Sequence, residues 1–104
     1  MTHKYILYQI NDENQEAAKK LFDDWQSLIK EHGKFNIKDY NKVYEGEIEG
    51  GNSTDFVLED LFTIFNVRHP KDFKGHSLSV SDVIDLDGEL WYCDSYCWHK
   101  IENN

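Results

Sequence analysis

The sequence predicts an α+β fold: a single domain over residues 1–104, in the order β-α-β-α-β-β-β, with a largely antiparallel sheet and two helices packed on one face. Three observations carry this expectation. Apolar residues recur at helical spacing in two stretches, the segments between them alternate as strands do, and Asp87-Gly88 separates two short apolar runs as a two-residue hairpin turn would.

Residues 4–10 are rich in Tyr, Ile and Leu and read as the first strand. Asn11 and Asp12 break it, and Asn14 is placed to cap a helix. Over residues 15–31, Ala18, Leu21, Phe22, Trp25, Leu28 and Ile29 fall on one face of a single expected helix, which Gly33 stops. In residues 40–49, Tyr44 and Ile48 alternate with Glu45, Glu47 and Glu49 as on a half-buried strand, ended by Gly50-Gly51-Asn52. Ser53 or Thr54 then caps a second helix with Leu58, Leu61, Phe62 and Phe65 as its buried stripe. Asp55, Glu59 and Asp60 suit the positive amino-terminal end of that helix, and Pro70 prevents its continuation. Strands are expected over residues 81–86 and 89–93, and a last one over 96–101.

A chain of 104 residues is long enough to bury one core without metal or disulfide staples. Its 20 acidic against 11 basic side chains give a net charge of −9, which repels phosphate backbones and anionic lipid and so disfavours direct binding of nucleic acid or membrane. A basic protein partner is the natural complement. No apolar run approaches the roughly 18 residues of a membrane span, and the amino terminus lacks a basic-then-apolar signal pattern, so a cytoplasmic protein is expected.

One stretch is too specific in its order to be generic core. Asp72-Phe73-Lys74-Gly75-His76-Ser77-Leu78-Ser79-Val80-Ser81-Asp82-Val83, with a hairpin after it that closes on Tyr92-Cys93-Asp94-Ser95-Tyr96, resembles the YodL-like family of small bacterial domains. Residues 5–10, 40–49, 58–66 and 70–95 fit the same pattern, whereas residues 15–31 match it least. The resemblance implies an accessory or host-modulating role, since members are common in Gram-positive bacteria and on their conjugative and phage-like elements. Cys93 and Cys97 depart from the family pattern.

The acidic surface is the main clue to activity. No Lys or Arg occurs between Val43 and Val67, while Glu45, Glu47, Glu49, Asp55, Glu59 and Asp60 all lie in that window. On a strand the three glutamates project from one face at intervals of about 6.5 to 7 Å, a row of carboxylates able to engage Lys and Arg side chains. The expected function is therefore a non-enzymatic inhibitor or modulator that binds a basic host protein, with a nucleic-acid-handling or defence enzyme as the class of target. The blander alternative is that the row is only the solvated side of a strand. A further alternative is an interaction module for a cytoskeletal or other regulatory protein, anchored by Trp91 and Trp98 in the aromatic carboxy-terminal hairpin.

His76, Ser77, Ser79, Ser81 and Asp82 include the residue types of a hydrolytic triad, which keeps a small hydrolase using His76 as the third class. Seven residues of extended or turning chain alternate in direction, so convergence is not expected, and these side chains together with Gly75 read as a structural motif that satisfies turn amides. Cys93, Cys97 and His99, with His76 or His69, nominally supply four zinc ligands. Cys93 and Cys97 would lie about 13 Å apart on an uninterrupted strand, so packing thiols are expected, with no metal and no cofactor.

Overall fold

The alternating run at the start of the chain forms β1 (Thr2–Ile10) in a computed structural model that describes residues 1–102. After it come α1 (Gln15–Ala18), α2 (Trp25–His32), a 3-10 turn at Ile37–Asp39, β2 (Tyr40–Glu49), α3 (Thr54–Val67), β3 (Val83–Leu86), β4 (Glu89–Cys93) and β5 (Trp98–Lys100). The five strands make one antiparallel sheet in the order β2-β1-β3-β4-β5. The fold is α+β as expected, with the first strand drawn to the interior of the sheet.

Local chemistry explains most boundaries. Asn14 caps α1 by accepting from the amides of Glu16 and Ala17, and Ser53 caps α3 by accepting from that of Phe56. Asp87 and Gly88 join β3 to β4 with φ of 52° and 91°, the left-handed pair that a tight hairpin needs. β3 starts later than expected because Ser81 sits at φ 86° and Asp82 turns inward. β5 starts later because Asp94 N bonds Cys97 O at 2.9 Å and closes a turn there.

The helices do not share a face. Tyr5, Leu7, Ile84, Leu86 and Cys93 pack with Val57, Leu58, Leu61 and Phe65 of α3. Val83 and Tyr92 instead pack with Leu28 of α2, Phe35 and Ile101, and Tyr8, Trp25 and Tyr40 lie against that second cluster. Cross-strand partners share a face, and Leu7–Ile84–Trp91 and Tyr8–Val83–Tyr92 are adjacent rows pointing opposite ways. The sheet is thus sandwiched, and its central strands are apolar on both sides for that reason. Burying a side chain of the size of Phe65 or Leu7 contributes about 1.5 to 3 kcal/mol, so each face has its own substantial core.

The single helix expected over residues 15–31 is in fact two. Phe22 takes φ 67° and is 60% exposed, whereas Ala17 and Leu28 are buried. Asp24 restarts the helix by accepting from Ser27 N at 2.8 Å. Tertiary bonds hold the break: Phe22 N donates to Ser81 Oγ, Trp25 N to Asp94 Oδ1, and Tyr92 OH to Asp23 O. Backbone groups that an unbroken helix would have paired internally are satisfied by side chains of β4 and of the residues just before β3 and just after β4.

Candidate functional site

Edge position and alternation together expose the acidic row. β2 has β1 as its one strand neighbour, and Glu45, Glu47 and Glu49 stand opposite Ile6, Lys4 and Thr2 on the same face. The register slips between Leu7 and Tyr8, so residues 44–49 pair regularly with 2–7 and the strand bulges beside them. All three glutamates are exposed. Glu45 pairs with Lys42 at 3.1 Å, and Glu49 accepts from the Thr2 hydroxyl and lies 3.7 Å from the Met1 amino group. Such exposed pairs are weak and exchange readily.

Asp55, Glu59 and Asp60 are exposed on α3, which covers the opposite face of the sheet. The one acidic window of the sequence therefore divides between two surfaces. Glu59 and Phe62 meet Asp94, Tyr96, Cys97 and Trp98 around a shallow cavity of about 170 Å³. Trp91 and Trp98 are half-buried against the α3 core, and the Trp91 Nε1 atom is buried without a hydrogen-bond partner. Tyr96, at 99% exposure, is the aromatic residue that the hairpin presents to solvent.

The motif residues gather around a side chain from β1. Gln9 is buried; its Oε1 accepts from His76 N at 3.2 Å while its Nε2 donates to His76 O at 2.8 Å and Asp82 Oδ2 at 3.1 Å. A Cβ at Gly75 would meet Gln9 Oε1 at 2.3 Å, so this approach requires glycine. Asp82 also accepts from Ser79 N, and its Oδ1, buried without a hydrogen bond, lies 3.9 Å from His76 Nε2. Burial pushes the Asp82 carboxyl up to about 7, against the opposing pull of Ser79 N, the His76 ring and Gln9. His76 and Asp82 converge although their spacing argued otherwise, because Gln9 curls the segment. The serines divide: Ser81 Oγ accepts from Phe22 N, Ser79 Oγ is buried without a partner, and Ser77 is exposed.

His3 is a second polar core group that the sequence did not suggest. Its Nδ1 lies 2.6 Å from Asp87 Oδ2 and its Nε2 2.8 Å from Gly51 O, so both ring nitrogens face acceptors and the imidazolium is the fully satisfied form. The bond to Asp87, then that to Gly51, raises the His3 pKa, and the same contact lowers that of Asp87.

The nominal zinc set does not assemble. Cys93 is buried, Cys97 is exposed, and the His99 ring stacks on Trp25 at 4.3 Å. Among the described residues, the side chains that bring three donor atoms within 4.8 Å of one another are Asp23, Glu31 and His32. His32 Nε2 lies 3.6 Å from Asp23 Oδ2, a pairing made across the helix break and hence invisible to helical periodicity. A larger groove of about 820 Å³ runs between the 3-10 turn and the β3–β4 hairpin, with Phe35 and Leu90 at its base and Lys34, Lys38 and Lys100 beside them. Lys100 is held by Glu89 at 3.0 Å.

No helix among the described residues is long and apolar enough to cross a membrane. A family model described as a YodL-like domain matches residues 4–103. No curated protein and no solved structure matches the chain.

Proposed function

The chain belongs to the YodL-like domain family, and from that premise we propose that it is a small non-enzymatic binding module whose acidic edge engages a basic surface on a host protein. The observation that carries this reading is the placement of Glu45, Glu47 and Glu49 as an exposed, evenly spaced row on a strand fixed to a two-sided core. The sheet already fixes the backbone that carries the row, so little main-chain entropy is lost on binding Lys or Arg side chains, and the field of the row steers a cationic partner toward it. A protein that uses Lys and Arg to hold phosphates is the class of target this chemistry suits, which makes the module an inhibitor or modulator of a nucleic-acid-handling or defence enzyme. Action in the cytoplasm by a protein encoded on a mobile element or phage of Gram-positive bacteria fits the family resemblance.

Immobilised wild-type protein and the Glu45→Lys/Glu47→Lys/Glu49→Lys variant, exposed to the same bacterial lysate, test the reading. The expected partner is retained by the wild type at low salt, released as ionic strength rises, and absent from the variant. Retention of the same partner by both at equal affinity removes the acidic row from the interface. A second reading then takes its place, favoured by the fully exposed Tyr96 beside Glu59 and Trp98: a regulatory module, for a cytoskeletal protein among others, that docks through its carboxy-terminal hairpin.

A further inference from the structure

Resting on the acidic row as a binding surface, we propose that β2 accepts an extended segment of the partner as a sixth strand, paired along residues 44–49 and alternating basic with apolar side chains. β2 ends the sheet, and among the described residues no backbone group of residues 41–48 bonds anything except β1. Alternate amides and carbonyls along its outer side are therefore open. The opposite edge, β5, has three residues, too few to hold a strand, whereas residues 44–49 form an uninterrupted run.

Side chains on the two faces of this run define the occupant. Glu45, Glu47 and Glu49 lie on one face, and Tyr44 and Ile48, half-buried against the α3 core, lie on the other. An added strand thus meets carboxylates on one side and apolar surface on the other. A second copy of β2 would set glutamate against glutamate, which is repulsive, while Lys or Arg at alternate positions is attracted. The same charges that guard the edge against self-pairing select a basic strand.

The test uses isotope-labelled protein and the blocked heptapeptide Lys-Val-Lys-Val-Lys-Val-Lys. Saturable shifts of the backbone amides of residues 44–49 are expected. Two further peptides carry N-methyl groups either on the valines or on the interior lysines. Residues whose side chains share a face of a strand also point their N–H groups to the same edge, so one of these peptides should bind at least tenfold more weakly than the parent while the other binds like it. Equal behaviour of the two, or no saturable shift at residues 44–49 with the parent, overturns strand addition. If the methylated peptides bind alike and the triple Glu→Lys variant still binds neither, the acidic row stands without the strand. Unchanged heptapeptide binding by that variant overturns both. Dimerisation through the same amides that the heptapeptide does not displace makes a second copy the occupant and also overturns the proposal.

Discussion

The carboxamide of Gln9 pairs with the backbone of His76 through two hydrogen bonds, accepting from its N–H at 3.2 Å and donating to its carbonyl at 2.8 Å, across 67 positions of sequence. A side chain thereby does what a neighbouring strand would do, and it docks the polar loop before β3 onto β1. The order of residues from Gly75 to Asp82 has its physical reason in this contact: glycine admits the amide, and the carboxylate receives its remaining proton.

Gln9→Leu should therefore destabilise the fold by about 1 to 3 kcal/mol, since it removes the partners of His76 N–H and His76 C=O and leaves Asp82 Oδ2 with Ser79 N as its remaining donor. Gly75→Ala, which forces a methyl group against Gln9 Oε1 and the Phe73 ring, should cost about 1 to 3 kcal/mol. Denaturant titration measures both. Unchanged midpoints would show that the loop is held by Phe73 and Leu78 alone.

Stability should fall as pH rises from about 4 to 7 and level off above. The Asp82 carboxyl is raised in the folded state to about 7, so between its unfolded value of about 3.9 and 7 the folded state holds the extra proton, and that advantage is lost as the proton leaves. Asp82→Asn should flatten the dependence of the thermal midpoint on pH over this range. A variant with the wild-type slope would place the titration elsewhere.

The His3–Asp87 pair should show a bounded window. His3 is raised, so its contribution is complete below its unfolded value of about 6.5 and is lost as pH climbs through the folded one; Asp87 is lowered, so its contribution is complete above about 3.9 and is lost as pH drops through its folded value. The difference in midpoint between wild type and His3→Gln should be largest between about pH 4 and 6.5 and shrink on both sides. A pH-independent difference would reduce the contact to a neutral hydrogen bond.

Thiol labelling should be selective. Cys97 is exposed, whereas burial, aided by Asp82, Glu59 and Asp94, pushes the Cys93 thiol up to about 12. Iodoacetamide at about pH 8 should add one group per chain, found at Cys97 by mass spectrometry. Equal labelling of Cys93 would mean that β4 and β5 open readily.

Reversing Glu45, Glu47 and Glu49 to Lys should leave the thermal midpoint nearly unchanged, each change being worth about 0.5 kcal/mol or less at an exposed site. A large loss would show that the pairing of Glu45 with Lys42 and the contacts of Glu49 hold the edge strand in place.

The α+β class, the five strands, the Asp87-Gly88 hairpin and the alternation that lines up three glutamates were all legible in the order of residues alone. These rest on interactions among near neighbours: a period of two or 3.6, a turn that tolerates positive φ, a cap three residues from its amide. Long-range packing was needed to put α2 and α3 on opposite faces, because strands apolar on both sides read the same whichever helix covers each. The helix break at Phe22 is of the same kind, since periodicity there was continuous and the competing partners, Ser81, Asp94 and Tyr92, lie far along the chain. Separation of Asp55, Glu59 and Asp60 from the glutamate row shares that cause: charges adjacent in sequence are divided by the thickness of a sheet.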